Sequence, residues 1–283
     1  MRPPIELPGP APTAKRDAGE VAVTWIGTAT VLLQVGGFTV LTDPNFLHQG
    51  DHAALGYGLR SRRLTNPAME VADLPALDLI VLSHHHGDHF DEVAARDLPK
   101  DVPIVTTGHA ARKLRRQGFT HPVALESWEA VGFERGDDRL SVTALPGQHA
   151  PGPLRAVLTP VMGSMLELGD RSGGTAFRLY ISGDTLLHDA LAEIPARYPA
   201  IDLALLHLGG TRVLGVMVTM DGRDGVRALE LVKPREAVPI HFGDYTVFRS
   251  PLSDFKEEME RRRPPTQVHY LDRGDTYRLR VTG

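Results

Sequence analysis

The stretch Leu79-Ile80-Val81-Leu82-Ser83-His84-His85-His86-Gly87-Asp88-His89 constrains this chain more than any other, because an aliphatic run ends in a cluster of metal-binding side chains. Leu79 to Leu82 is short, uncharged and partly β-branched, which predicts a strand covered on both faces. Alternate residues of an extended chain point to the same side, so His84 and His86 can face one cation while His85 points away. A sharp turn at Gly87 would bring Asp88 and His89 round to face a second cation. Imidazole and carboxylate are ligands of zinc and its neighbours. The competing reading, a surface histidine run, accounts for neither the strand before it nor the aspartate in step.

Composition narrows the class. A chain of 283 residues with 42% hydrophobic content can bury a large core, and we expect one compact domain over residues 21–283. The formal charge of −4 gives no basic footprint for a stable nucleic-acid partner. Cysteine is absent, which removes disulfides, thiolate nucleophiles and cysteine metal ligands. Residues 1–20 carry Pro3, Pro4, Pro8, Pro10 and Pro12 and read as an extended segment. With neither a signal-type apolar core there nor a run long enough to span a membrane, the expectation is a cytoplasmic protein without a transmembrane segment.

From Val21 the pattern is β-rich, with a hairpin predicted at Gly36-Gly37 between Ala29–Val35 and Phe38–Thr42. The long stretch 45–75 reads as an irregular loop overhanging the metal site. Its Arg60, Tyr57 and His52 are candidate substrate contacts, as are Arg62 and Arg63 for an anion. Strands are expected over 104–107, 123–125, 140–145, 176–181, 201–206 and 237–240, and a basic helix over 110–117. A helix should begin after Asp184-Thr185 and run through Leu191. Asp221 should cap a helix ending at Val232. A charged helix over 251–263 and a strand pair within 267–279 should close the chain.

The pattern His84-x-His86-x-Asp88-His89 resembles the metal signature of the metallo-β-lactamase fold. Trp25-Ile26-Gly27-Thr28-Ala29-Thr30-Val31-Leu32-Leu33, followed by Leu41-Thr42-Asp43-Pro44, is similar to the branch holding N-acylphosphatidylethanolamine phospholipase D and the ascorbate-6-phosphate lactonase, a UlaG-like enzyme. The resemblance implies an α+β fold: a four-layer αββα sandwich, two mostly antiparallel sheets flanked by helices, with ligands along one edge. It also implies the rest of the ligand set. His149, which ends a strand before Ala150-Pro151-Gly152-Pro153, would join His84 and His86 on the first metal. Asp184 would bridge both metals, and His241 would complete the second with Asp88 and His89. Asp43 would hydrogen-bond to the metal-ligand loop and hold the orientation of a ligand histidine. His207 sits at the same edge and reads either as a catalytic proton relay or substrate contact, or as a hydrogen-bonded core histidine.

Seven such ligands imply a hydrolase that uses a hydroxide bound at a dinuclear centre, oriented by Asp88. Two divalent ions are the expected cofactors, zinc first, with manganese or iron compatible with the same donors. Both branch resemblances involve phosphate-bearing substrates, so a phosphodiester or a phosphorylated small molecule is the expected substrate. A lactone or other cyclic ester is the alternative. An iron-dependent redox protein is disfavoured, since dinuclear-iron electron carriers of the family have an acidic residue where His86 stands. A non-catalytic metal-binding protein would need a broken ligand set. A homo-oligomer is compatible with the sequence, which supplies no readable interface.

Overall fold

The computed structural model describes residues 3–7, 19–56, 58–152, 158–170, 174–213 and 215–281. Of the sequence-stretch expectations, Tyr57 and most of the extended segment (1–2 and 8–18) lie outside them. Ile5–Glu6 adds a short parallel edge strand beside Phe133 and Glu134.

Two sheets carry the fold. The larger has eight strands in the order Ile5–Glu6, Ala130–Arg135, Asp138–Pro146, Met162–Asp170, Thr175–Ile181, Leu203–His207, Glu236–Ile240, Gln267–Val268. The other has seven, in the order Thr276–Arg280, Glu20–Gly27, Thr30–Val35, Phe38–Thr42, Leu79–Val81, Ile104–Thr106, Pro122–Ala124. Among the described residues there are five α-helices, in chain order: α1 (Glu92–Asp97), α2 (Gly108–Arg116), α3 (Glu193–Arg197), α4 (Gly222–Val232) and α5 (Leu252–Arg262).

The core shows the layer order directly. One apolar cluster lies between the sheets, where Val23, Leu33 and Val81 meet Phe133, Val142 and Leu205. A second packs Tyr180, Leu206 and Ala237 of the larger sheet under Val226 and Leu229 of α4 and Phe255 of α5. A third packs Leu41 and Ile80 of the smaller sheet under Ala94 of α1 and Leu114 of α2. The result is the expected αββα sandwich. Pairing is more mixed than expected, because each sheet is antiparallel in one half and parallel in the other, apart from the parallel edge strand Ile5–Glu6 in the antiparallel half of the larger sheet. Parallel neighbours need a crossover, and α2 supplies one between Ile104–Thr106 and Pro122–Ala124, α4 another between Leu203–His207 and Glu236–Ile240.

Three local expectations are corrected. Residues 45–75 are not wholly irregular, since His52–Gly56 and Leu59–Arg62 pair as an antiparallel hairpin. The strands within 267–279 do not pair with each other: Gln267–Val268 joins the larger sheet and Thr276–Arg280 the smaller one. The helix expected after Thr185 starts later, with a 3-10 turn at Asp189–Ala192 leading into α3. The Thr185 hydroxyl instead accepts from Gln148 N and donates to the Leu186 carbonyl.

Phe133 is fully buried between the sheets. Phe133→Ala is expected to lower unfolding stability by about 3–5 kcal/mol, read from the midpoint of a urea titration.

Candidate metal centre

Six strands end along one edge of the sandwich, and the residues that follow them converge. Asp43 follows Phe38–Thr42 and the histidine cluster follows Leu79–Val81 in the smaller sheet. His149, Asp184, His207 and His241 stand at or just after the ends of four strands in the larger one. Two backbone bonds join the edges, Met162 N to Ser83 O (3.1 Å) and His241 N to Thr28 O (2.7 Å).

The structure gathers three groups able to hold a metal ion, in each of which the ligand atoms lie within 4.8 Å of one another: His84, His86 and His149; Asp88, His89, Asp184 and His241; and Asp43, His89 and His207, which shares His89 with the second. All nine side chains are buried, none more than 8% exposed. Each group draws on both sheets. His84 Nε2 and His86 Nδ1 approach to 2.9 Å. In the second group His89 Nε2 lies 3.2 Å from Asp184 Oδ2, and His241 Nε2 lies 3.7 Å from Asp88 Oδ2.

Four buried atoms of this second group, Asp88 Oδ1, His89 Nε2, Asp184 Oδ1 and His241 Nε2, have no hydrogen-bond partner. Buried polar atoms left unsatisfied are costly and rare, and four in one place fit a divalent cation.

Electrostatics divide the groups. Burial, with the neighbouring imidazoles adding to it, holds His84 well below its ordinary pKa and His86 down to about 3; burial also lowers His149. These three rings are neutral near pH 7 and offer lone pairs. Burial also works against charge on His89 and His241, yet the carboxylates of Asp184 and its neighbours outweigh it and push both upward. Burial likewise opposes ionisation of Asp88 and Asp184, and the charged imidazoles override it and lower both. The same carboxylates that favour protons on His89 and His241 favour a cation, and metal binding displaces such protons.

The outer ring nitrogens are all engaged. His84 Nδ1 meets Ser83 Oγ at 3.0 Å, His149 Nδ1 meets the carbonyls of Asp184 and Val218 at 3.1 and 3.0 Å, and His241 Nδ1 meets the Leu208 carbonyl at 3.1 Å. Asp43 Oδ2 lies 3.2 Å from His89 Nδ1, while its Oδ1 accepts from Ser83 N at 2.7 Å. Its backbone φ of +35° is unusual for a non-glycine residue, and His241 at +64° shares that strain.

Other residues fall differently from expectation. His207 lies behind the cluster, with Nε2 3.4 Å from Asp43 Oδ2 and Nδ1 3.3 Å from Ser182 Oγ, and it is 1% exposed. That is a hydrogen-bonded core arrangement, one of the two readings the sequence leaves open. Gly87 is not among the residues with positive φ; a Cβ there would come within 2.6 Å of Ala54 N, so it is the close approach of the hairpin that requires glycine. Arg63 is fully buried, stacked on Tyr245 and bonded to the Thr65 carbonyl, and so is unavailable to an anion. Arg60 is exposed on the hairpin and lines neither cavity beside the site, whereas His52 does line one.

Two cavities reach the ligands, one of about 450 Å³ bordering His86 and one of about 700 Å³ bordering His149. Helix α2 walls both, placing His109 in each, Lys113 in the first and Arg112 in the second. Neither Lys113 nor Arg112 forms an ion pair among the described residues.

Sequence reasoning passed over the support beneath the metal loop. Asn45 Nδ2 donates to the Gly87 carbonyl (2.8 Å) and to Asp91 Oδ2 (3.0 Å), and Tyr245 donates to Asn45 Oδ1 (3.0 Å). Asp91 also caps α1 through Ala94 N and accepts from the amides of Phe46 and Leu47. A capping aspartate ahead of Glu92-Val93-Ala94 was a readable signal; the partners of Asn45 were not.

Comparison with known proteins gives four likenesses. Residues 39–242 match the family model described as the β-lactamase superfamily domain. A UPF0173 metal-dependent hydrolase of Thermus thermophilus is 30% identical over 260 residues, covering 92% of this chain and 99% of that protein. An uncharacterized protein of Mycobacterium tuberculosis is 29% identical over 278 residues, covering 94% of this chain and 71% of its relative. Among solved structures, an isothiocyanate hydrolase from Delia radicum gut bacteria superposes with a TM-score of 0.75 at 23% identity, covering 92% of this chain and 100% of that one; this likeness concerns the fold.

Removing the carboxylate that orients His89 tests the arrangement. Asp43→Ala is expected to weaken metal affinity by about 10–100-fold, measured by competition with a chromophoric chelator.

Proposed function

Because the chain belongs to the metallo-β-lactamase superfamily and, within it, to the UPF0173 metal-dependent hydrolases, we propose that it hydrolyses a phosphodiester or a phosphorylated small molecule at a dinuclear metal centre. The observation that carries this reading is the set of four unsatisfied buried atoms on Asp88, His89, Asp184 and His241, beside three neutral imidazoles. His84, His86 and His149 would hold one cation, and Asp88, His89, Asp184 and His241 the other. Divalent ions there, zinc first and manganese or iron compatible with the same donors, supply Lewis-acid polarisation and lower the pKa of water from 15.7 toward about 7.

The chain's own groups do the rest. Asp88, beside its place in the ligand set, can orient the attacking water by accepting a hydrogen bond at its carboxylate. Asp43 holds His89 in the tautomer that presents Nε2 inward. Burial of the ligands excludes bulk water from all but the side facing the cavities, which strengthens each charge interaction there.

The substrate class rests on charge. Among the described residues Arg112 and Lys113 form no ion pair, although the cavities they line also hold Asp91, Glu92 and Glu126 and the chain as a whole is acidic. Unpaired cations beside a metal centre favour an anionic substrate, and a phosphate oxygen suits both guanidinium and ammonium donors. The branch resemblance carried by Trp25 to Leu33 and Thr42-Asp43-Pro44 supports the same class. A neutral lactone leaves both cations unused and is the reading against which the phosphodiester is measured.

Protein purified without added metal or affinity tag is expected to contain about two metal ions per chain and to hydrolyse bis-(p-nitrophenyl) phosphate until a chelator is added. Asp88→Asn is expected to keep the fold and metal content while lowering kcat by about 100-fold or more. Metal-replete protein inactive on phosphodiesters but active on lactones would replace the substrate assignment, and a metal-free chain that zinc, manganese or iron cannot activate would end the hydrolase reading.

Charge reversal tests the anion contact separately. Lys113→Glu is expected to raise KM for a phosphodiester by about tenfold and to leave KM for a neutral ester unchanged. An equal rise for both substrates would show that Lys113 shapes the cavity rather than reads charge.

A further inference from the structure

His86 differs from the other four ligand histidines. His84, His89, His149 and His241 each have Nδ1 engaged with an outer partner, which leaves Nε2 inward. In His86 the arrangement is reversed: Nδ1 faces His84 Nε2 at 2.9 Å, and Nε2 points outward to Thr159 Oγ1, also at 2.9 Å. For Nδ1 to offer a lone pair, the ring proton must sit on Nε2. An imidazole left to itself exchanges the proton between the two nitrogens, so an acceptor at Nε2 selects the tautomer that can bind a metal.

We propose that Thr159 is a positioning residue of the metal centre, holding His86 as its Nε2–H tautomer and fixing the rotation of its ring. The inference rests on the dinuclear reading above, and it assigns to a residue at the cavity mouth a task that backbone carbonyls, Ser83 and Asp43 perform for the other ligands. Thr159 is suited to it. Its hydroxyl is an acceptor that can also donate, and the β-branched side chain has few rotamers in which to wander. Thr159 also lines both cavities, next to His86 on one side and His149 on the other. The bond that orders the ligand therefore also fixes the partition between the two spaces that a substrate enters. A cation on Nδ1 withdraws electron density from the ring and makes Nε2–H a stronger donor, so metal binding and the order of the residue at the mouth support each other.

Two variants isolate the hydrogen bond. Thr159→Val keeps the shape and removes the acceptor, and Thr159→Ser restores it. Zinc affinity, read by competition with a chromophoric chelator, is expected to fall about 10-fold or more in Thr159→Val, to recover in Thr159→Ser, and to change without a shift in the melting temperature of the metal-free protein. Equal zinc affinity in wild type and Thr159→Val overturns the proposal, whereas a wild-type chain that binds no metal overturns the dinuclear reading beneath it. Should Thr159→Val fail to fold, long-range proton–nitrogen correlation of the zinc-loaded wild type carries the test: a proton on His86 Nε2 supports the assignment, and a proton on Nδ1 refutes it.

Discussion

Asp88 and Asp184 are two carboxylates buried in one cluster, 5% and 3% exposed, and the edge of the sandwich is built to answer their charge. Each loses hydration worth several kcal/mol, and like charges so close repel further. The protein supplies His89 and His241, whose protonation is driven by those same carboxylates. Imidazole protons are an incomplete answer, because each points along one line and Asp88 Oδ1 and Asp184 Oδ1 still accept no hydrogen bond. A divalent cation accepts several oxygens and nitrogens at once and resolves the whole set. The neutral His84, His86 and His149 beside it add a second place with the same preference.

Such a cluster requires rigid support. Asp43 joins Ser83 N, His89 and His207, so one carboxylate ties the metal loop of the smaller sheet to a strand end of the larger. Asn45 and Asp91 clamp the turn at Gly87 from the other side. His207 thus belongs to the framework: it steadies Asp43, which steadies His89. The hairpin of His52–Gly56 and Leu59–Arg62 is pressed on Gly87 itself, with Gly87 N donating to the Ala54 carbonyl at 2.8 Å, so a wall of one cavity is bonded directly to the ligand loop.

Much of this was legible because its signals are local. The strand before His84, the spacing of His84, His86, Asp88 and His89, and the capping at Asp221 depend on neighbours in sequence. The αββα layering followed from a resemblance carried by a few short motifs. What escaped depends on distant partners. Alternation within 267–279 reveals two strands but not that they serve different sheets. Arg63 looks in sequence like any loop arginine, and only Tyr245, 182 residues away, makes it a buried one. The role of α2 was hidden for the same reason: a basic amphipathic helix reads as a solvated face until the cavities beside His86 and His149 are seen to open against Lys113 and Arg112.

The division of the ligands between sheets carries a thermodynamic consequence. His84, His86, Asp88 and His89 come from the smaller sheet, and His149, Asp184 and His241 from the larger, so neither group is complete until the two sheets have docked. The outer partners cross the same divide, for Asp43 of one sheet reaches His207 of the other and His241 N bonds Thr28 O. A cation that binds only the assembled edge stabilises the native state by its binding free energy, in proportion to the logarithm of its concentration over Kd. The apolar interface of Phe133, Val142 and Leu33 brings the sheets together without metal, but there the carboxylates resist burial. Docking and metal binding are therefore coupled through Asp88 and Asp184, which oppose the first and are satisfied by the second.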